Sequence, residues 1–446
     1  MISTDHHYLM KDKFFFSSKR IVCFIVLALG ASVLLHAQTQ EFLYGDMLPD
    51  APELSERGSY TVGVRTIDLV HPDQVDILNS KRGKDATYDR PLTVEVWYPA
   101  EISLGTEAFV TYKEVMGTRG DSLRPLIPFT FKGRAVRDAA PKASERAFPL
   151  IVVSHGYVGS RYLMTYLTEN LASKGYIVVA IDHTDSTFKD ANAFQSTLLN
   201  RAKDIRFVIN EMERLGESDS KDNLSGKVNA DNTAIVGYSM GGYGVLNVAG
   251  AGYSEGMVQF FKGMTEGSTA IQALAASNTE YQSQSDPRIK AVVAFAPWGM
   301  ERGVWDAEGL KGLKTPTFFV AGSQDDISGY EKGIKAIYEA AINADRYLLT
   351  YTDARHNVAP NPPPKEALAP GLHIDEYYRY ADATWDQRKI NNVNQHFVTA
   401  FIDSQLKGKD TSKYLDIPKD SNAQDWPGFK PRSSTGMELL HAAPME

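Results

Sequence analysis

The chain has 446 residues, of which 43% are hydrophobic, and a formal net charge of −8. This length and apolar content suffice for a large buried core. The acidic balance, with no basic tract beyond the N-terminal segment, argues against nucleic acid as a partner. The single cysteine, Cys23, lies in the N-terminal segment, so disulfides and thiolate sites are not expected in the rest of the chain.

The N-terminal segment has the pattern of a secretory signal. Lysine and arginine side chains precede the apolar run IVCFIVLALGASVLL at residues 21–35, and Ala37 offers a small residue for cleavage. We therefore predict a signal peptide over residues 1–37 and a secreted or periplasmic protein without stable membrane insertion after cleavage. A retained N-terminal anchor is the alternative. Residues 38–446 are expected to form a single domain.

The first strands that the sequence predicts are antiparallel. SYTVGVRTIDLV and PLTVEVWYPA alternate between apolar and polar residues, which is typical of strands with one buried face. The polar segment at residues 101–146 is expected to be an irregular surface excursion.

From Phe148 onward, short continuous apolar runs alternate with amphipathic helical patterns. The predicted strands are FPLIVVSHG, YIVVAIDH, TAIVGYS, IKAVVAFAP, TPTFFVAGSQD and DRYLLTYTD. The predicted helices are RYLMTYLTENLASKG, NRAKDIRFVINEMERLG, YEKGIKAIYEA and NNVNQHFVTAFIDSQLKG. This alternation predicts an α/β fold with a mostly parallel central sheet and helices on both faces.

Two insertions, at about residues 253–287 and 360–390, interrupt this alternation. The first lies between the helix after Ser239 and the next strand, and the second opens with PNPPPKEALAP. Insertions at the carboxyl ends of strands in α/β sheets tend to shape the ligand cleft, so both are expected to do so here. Alternatively, the two insertions are surface segments that lie far from any ligand site.

The segment AIVGYSMGG contains the pattern G-x-S-x-G around Ser239. Between a buried strand and a helix, this pattern is typical of a sharp turn that exposes a nucleophilic serine hydroxyl. The alternative is a glycine-rich turn in which the serine only caps the helix.

A serine nucleophile requires a base that follows it in this kind of fold. His356 comes directly after the last predicted strand, where that base is expected. The other histidines after Ser239 are less suitable. His373 lies in the proline-rich insertion, His396 in the last helix and His441 in an irregular C-terminal segment.

The base needs a carboxylate to orient it. The strand FFVAGSQDDIS ends at two adjacent aspartates, Asp325 and Asp326. We favour Asp325 because it is closer to the strand end, and Asp326 would then be a solvated or capping residue.

Two backbone amides are expected to form an oxyanion hole, those of Met240 and Tyr157. Met240 follows the serine, and Tyr157 lies in the loop SHGYVGSR. His155 in the same loop is expected to hold the loop by hydrogen bonding and not to transfer protons.

Together, IVVSHGYVGSR, GYSMGG, GSQDD and RHN resemble α/β-hydrolases of the platelet-activating-factor acetylhydrolase and dienelactone-hydrolase-like group. The chain also resembles bacterial cutinase-type polyester hydrolases, which have a Gly-Tyr oxyanion loop and a Pro-Trp pair, here Pro297-Trp298. The resemblance implies an α/β-hydrolase fold in one catalytic domain, with Ser239, His356 and Asp325 as a triad cleaving carboxylic esters.

The chain departs from these families in three respects. Dienelactone hydrolases proper use cysteine as the nucleophile. Acetylhydrolase relatives carry their acid after the strand that here ends AFAPW, where this chain has no aspartate. Compact cutinases lack the two insertions.

The resemblance implies that Tyr157 and Trp298 flank Ser239 and hold an acyl group. Alternatively, Trp298 packs under the first insertion and never meets substrate. Because the insertions favour a roofed pocket, we predict small or lipid-like acyl esters as substrates, hydrolysed without metal or organic cofactor. A polyester hydrolase, a serine peptidase and a non-catalytic binding protein are the alternatives, and the sequence leaves the oligomeric state open.

Overall fold

The structure is a computed structural model that describes residues 42–103, 105–278, 280–281, 285–417 and 425–445. The predicted signal peptide lies outside these residues. Leu43–Glu446 forms one compact unit. In the described ranges, no helix combines the length and the hydropathy that crossing a membrane would require.

A large mixed sheet is the centre of the fold. Its strands are β1 (Thr61–Lys81), β2 (Lys84–Glu101), β5 (Val136–Arg137), β6 (Ala140–Pro141), β7 (Phe148–Ser154), β8 (Ile177–Asp182), β9 (Val228–Tyr238), β10 (Ile289–Phe295), β11 (Thr317–Gly322), β12 (Arg346–Tyr351) and β13 (Met437–Ala442). They follow the order β13-β12-β11-β10-β9-β7-β8-β2-β1-β5, and β6 pairs with β2. Strands β7 to β12 are mutually parallel. Strand β2 pairs antiparallel with β1 and β8, and β13 pairs antiparallel with β12, whereas the short β5 pairs parallel with β1.

Helices cover this sheet. They are α1 (Thr165–Ser173), α2 (Phe194–Gly216), α3 (Met240–Val248), α4 (Glu255–Met264), α5 (Ala307–Leu310), α6 (Lys335–Ala340), α7 (Ile374–Tyr378), α8 (Gln387–Lys407) and α9 (Ser412–Leu415). Single turns of 3-10 helix occur at Glu53–Ser55, Ala270–Leu274, Met300–Arg302 and Lys365–Leu368, and a π-helical turn at Tyr330–Ile334 precedes α6. Helix α1 packs against α8 and α2 against α3, and both pairs contact the central strands.

The central strands are continuous apolar runs because both of their faces are covered. Leu150, Ile151 and Val152 of β7 are fully buried, as are Ala291 and Val292 of β10. Such runs are typical of parallel sheets enclosed between helices. The six parallel strands predicted from the sequence are all present, as are the first two antiparallel strands.

Two segments expected to be irregular are ordered strands, so those predictions were wrong. Within residues 101–146, β3 (Val110–Met116) and β4 (Ile127–Gly133) form an antiparallel hairpin that buries Tyr112 and Phe129. Lys113 lies on the exposed face of β3, and Glu114 interrupts the apolar residues of its buried face, so the sequence did not show an apolar strand face. At the other end of the chain, β13 pairs antiparallel with β12.

The two insertions contain short elements. The first includes α4 and the turn Ala270–Leu274, and the second includes the turn Lys365–Leu368 and helix α7. Among the described residues of the two insertions, those in the wall of the cavity that contains Ser239 all belong to the second.

Candidate active site

Ser239 occupies a strained turn between β9 and α3. Its backbone φ is +53° and its ψ is −111°, a conformation that residues with side chains rarely adopt. The close packing of this turn explains the glycine at position 241, because a Cβ atom there would lie 1.9 Å from the carbonyl oxygen of Ser154. The G-x-S-x-G pattern thus corresponds to a sharp strand-to-helix turn that presents the serine.

The hydroxyl of Ser239 belongs to a hydrogen-bonded line of three side chains. Its Oγ lies 2.9 Å from His356 Nε2. On the other side of the ring, His356 Nδ1 donates to Asp325 Oδ2 at 2.8 Å. Their exposed fractions are only 7%, 9% and 6%, in the order serine, histidine and aspartate. This is the arrangement in which a histidine accepts a serine proton while a carboxylate holds its tautomer.

Asp325 is held as a carboxylate. Burial alone would raise its pKa, but the His356 ring and the amides of Ser328 and Ile327 offset the burial and lower the pKa below its ordinary value. The two amides donate to Asp325 Oδ1 at 2.8 and 2.9 Å. The carboxylate therefore has a fixed orientation, with its second oxygen directed at the ring.

The neighbouring Asp326 has a different environment. It forms an exposed ion pair with Arg355, in which Arg355 Nε donates to Asp326 Oδ1 at 3.1 Å. About half of each side chain is open to solvent. Of the two adjacent aspartates, only Asp325 is hydrogen-bonded to His356.

The expected oxyanion loop lies directly against the serine. A Cβ atom at Gly156 would lie 3.3 Å from the Cβ of Ser239, so the loop backbone approaches the turn closely. Tyr157 follows in this loop, and Met240 is the first residue of α3. Amides at a helix N-terminus favour negative charge, as an oxyanion requires.

His155 is a structural member of the same loop. Its Nδ1 lies 2.6 Å from the carbonyl oxygen of Gly156, and its Nε2 accepts a hydrogen bond from the backbone N–H of His183 at 3.2 Å. Burial, together with the neighbouring Arg201, lowers the pKa of His155 well below its ordinary value. Arg201 Nη1 also donates to the carbonyl oxygen of His155 at 2.7 Å, which fixes the loop from beneath.

Behind the loop lies a second serine, histidine and aspartate line that sequence reasoning missed. His183 Nε2 lies 2.9 Å from Ser154 Oγ, and its Nδ1 lies 2.9 Å from Asp204 Oδ2. All three residues are buried, and Arg90 donates to both oxygens of Asp204 at 2.8 and 2.9 Å. Burial lowers the pKa of His183 to about 3. This buried line has no access to substrate and supports the sheet edge beneath the site.

The remaining histidines that follow Ser239 have other roles. His396 is buried in α8, and its Nδ1 accepts a hydrogen bond from the N–H of Leu54 at 3.1 Å. His441, in β13, forms a hydrogen bond with Asp345. His373 Nδ1 accepts a hydrogen bond from a backbone N–H at the start of α7.

A cavity of about 350 Å³ opens at Ser239 and His356. Its lining is formed by Arg124, Gly156, Tyr157, Val158, Leu163, Tyr238, Ser239, Asp326, Ile327, Arg355, His356, Asn357, Asp375, Tyr378, Arg379, Ala381, Asp382 and Ala383. The second insertion therefore supplies one wall. Asn357 connects this wall to the turn, because its side chain accepts from the Tyr238 hydroxyl at 2.8 Å and donates to the carbonyl oxygen of Ala381 at 3.0 Å.

Tyr157 and Trp298 do not form two opposite walls of an open cleft beside Ser239. The ring of Phe194 lies between them, edge-to-face with Tyr157 at 5.3 Å and with Trp298 at 5.2 Å between centroids. Trp298 is partly buried and also packs against Tyr243. Tyr157 borders the cavity, whereas Trp298 is absent from the described lining.

In the part of the chain that the structure describes, no group of three or more histidine, cysteine, aspartate or glutamate side chains is arranged to hold a metal ion. The expectation that no cofactor is needed stays a prediction.

Comparison with known sequences relates the chain to ester-cleaving proteins. Residues 137–255 match the family described as PETase, PET hydrolase-like. Cutinase est1 of Thermobifida alba is 23% identical over 212 residues, which are 47% of this chain and 54% of the cutinase. The bis(hydroxyethyl) terephthalate hydrolase of Streptomyces coelicolor is 21% identical over 214 residues, 48% of this chain and 52% of that enzyme. The chain thus spans about half the length of the curated relatives that it matches.

Among solved structures, the ferulic acid esterase of Streptomyces cinnamoneus is similar to this chain with a TM-score of 0.54. The match covers 88% of this chain and all of the esterase, at 21% sequence identity. At this identity the likeness bears on the fold alone, and it confirms the fold class predicted from the sequence.

Proposed function

We propose that this chain, an α/β-hydrolase that resembles cutinase-type polyester hydrolases, is a carboxylic ester hydrolase that forms an acyl-enzyme on Ser239. The observation that carries the proposal is the hydrogen-bonded line of Ser239, His356 and Asp325. Its serine lies on a strained turn at the mouth of a cavity. The names of the similar proteins, which are cutinases, a terephthalate ester hydrolase and a ferulic acid esterase, support the same reaction class.

In the proposed reaction, Ser239 Oγ attacks the carbonyl carbon of the ester while His356 Nε2 takes its proton. The carbonyl oxygen becomes an oxyanion, which the amides of Tyr157 and Met240 stabilise. One such donor typically lowers the barrier by about 3–4 kcal/mol. His356 then protonates the departing alcohol, and the acyl group stays on the serine. Water, activated by the same histidine, releases the acid and restores the hydroxyl.

Asp325 acts through His356. Its carboxylate keeps the proton of the ring on Nδ1, so that Nε2 is free to accept the serine proton, and it stabilises the imidazolium that results.

We propose small or lipid-like esters as the substrates. A cavity of about 350 Å³ with one wall formed by the second insertion fits a small ligand better than an extended polymer. The match to PET hydrolase-like proteins favours an aromatic polyester as the second candidate. Rapid release of soluble fragments from an aromatic polyester film would favour that candidate. Secretion or periplasmic location, proposed from the pattern at residues 1–37, agrees with either substrate.

The test combines turnover with covalent labelling. A fluorophosphonate probe should label the wild type once, and peptide mapping should find the label on Ser239 and not on the buried Ser154. Ser239→Ala should lose both the labelling and the hydrolysis of 4-nitrophenyl acetate, whereas Ser154→Ala should keep the label if it folds. Turnover at the wild-type rate in Ser239→Ala would refute the assignment.

A further inference from the structure

The cavity at Ser239 contains an arginine without a counterion. Arg379 lies in its wall, just after α7, and its Nη1 donates to the carbonyl oxygen of Val158 at 2.9 Å. The side chain is half-buried, its Nε is buried without a hydrogen-bond partner, and no hydrogen bond joins its Nη2 to a residue that the structure describes. The guanidinium also lies over the ring of Phe188, with 5.4 Å to the centroid.

The other charged groups of the cavity are already engaged. Asp326 pairs with Arg355. Arg124 Nε donates to Glu376 at 2.5 Å, and Arg124 Nη1 lies 3.7 Å from the carboxylate of Asp375, which is also in the lining. Asp382 accepts three backbone amides, those of residues 355, 384 and 385, at 2.7 to 3.0 Å. Arg379 is therefore a positive charge in the cavity wall, and no carboxylate among the described residues lies within 4 Å of it.

This placement is unfavourable for the protein alone. Burial, and then the nearby Arg124, lower the pKa of Arg379 below its ordinary value. A guanidinium nevertheless keeps its charge in proteins, so an anion is the group that would relieve the site. Carboxylates suit it because guanidinium nitrogens and carboxylate oxygens match in geometry.

We propose that the ester substrate carries a free carboxylate and that Arg379 binds this carboxylate while Ser239 attacks the ester bond. The inference rests on the ester hydrolysis proposed above and specifies its substrate class. It requires no new chemistry, since the carboxylate is bound and does not react.

The test compares esters that differ only in charge. In 4-acetoxybenzoate and 4-acetoxybenzamide the charge is on the alcohol side, and in monomethyl adipate and methyl adipamate it is on the acyl side. We expect the wild type to show a kcat/KM at least about tenfold higher for the carboxylate member of one pair, because hydrogen bonds to charged groups contribute about 1.5–3 kcal/mol.

Variants assign the preference to one side chain. Arg379→Gln should lower kcat/KM for the carboxylate ester by about 10- to 100-fold and leave the neutral ester within about threefold. Arg379→Lys should retain part of the preference. Arg214→Gln is the control, because this exposed arginine of α2 is paired with Glu211 outside the cavity lining, and its charge preference should equal that of the wild type.

A measurement on the wild type alone keeps the proposal testable if the variants misfold. Benzoate should protect Ser239 from the fluorophosphonate at lower concentrations than benzamide does. Equal protection by the two compounds, or equal losses for charged and neutral esters in Arg379→Gln, would overturn the proposal. Hydrolysis of the neutral esters that persists in Ser239→Ala would instead overturn the proposed function, so the two failures are distinguishable.

Discussion

The two adjacent aspartates allow a strong test of the proposed mechanism within one dipeptide. Asp325→Asn keeps the shape of the side chain, and its Oδ1 can still accept the amides of Ser328 and Ile327. Its NH₂ group would then face His356 Nδ1, where a carboxylate oxygen now accepts at 2.8 Å. Two donors cannot share that contact, so the ring should shift its proton to Nε2 and lose the ability to accept from Ser239.

The expected loss is large because the tautomer is wrong in nearly every molecule. Replacing a triad aspartate with asparagine lowers kcat by about 10⁴-fold in the serine protease case, or about 5.5 kcal/mol of barrier. The same substitution at Asp326 removes only an exposed ion pair with Arg355, which is worth about 0–1 kcal/mol of stability. We expect its kcat to stay within about twofold of the wild type.

The assay measures kcat for 4-nitrophenyl acetate from pH 6 to pH 10, with active sites counted by fluorophosphonate titration. Circular dichroism and thermal unfolding would show whether Asp325→Asn remains folded. A small and equal loss in the two variants would refute the assignment of the acid. A large loss confined to Asp326→Asn would exchange the two roles.

Three further outcomes are expected. Gly241→Ala should abolish folding or activity because its Cβ would lie 1.9 Å from a carbonyl oxygen. Gly263→Ala, in open space within α4, should instead raise the free energy of unfolding by about 0.5–1 kcal/mol. Denaturant unfolding measures both effects. Burial raises the pKa of Glu114 to about 7, so its contribution to stability is fully present below about pH 4.3 and is lost as the pH rises through 7. Glu114→Gln should therefore flatten the dependence of the unfolding free energy on pH between about 4 and 8. An unchanged slope would contradict this expectation. Trp298→Ala should cost at most about 3 kcal/mol of stability, the lower end of the range for a buried tryptophan, because its side chain is only partly buried. It should lower kcat/KM equally for acetyl and longer acyl esters, and a selective loss on long esters would instead place Trp298 in the substrate site.

The sequence predicted the proposed triad because each member follows the end of a strand. Ser239 comes directly after β9, and Asp325 and His356 lie three and five residues beyond the ends of β11 and β12. The carboxyl ends of these parallel strands lie at one edge of the sheet. Short apolar runs suffice to find such strands, and parallel topology then brings the following loops together.

What could not be predicted depends on contacts between distant segments. The hairpin of β3 and β4 was missed because residues such as Glu114 interrupt its apolar pattern. The counterion-free state of Arg379 depends on which carboxylates the fold places near it, and no local pattern encodes that. The position of Phe194, between two rings expected to form a cleft, likewise arises from the packing of α2 against the loop after β7.

The buried line of Ser154, His183 and Asp204 shows that the hydrogen-bond distances of a triad can occur without a site that substrate can reach. Its two contact distances, both 2.9 Å, nearly equal those of the solvent-facing line. What it lacks is an open approach and a strained turn beneath its hydroxyl. A search of protein structures by side-chain distances alone would score the two lines alike, so a reliable search template must also include solvent access and backbone conformation.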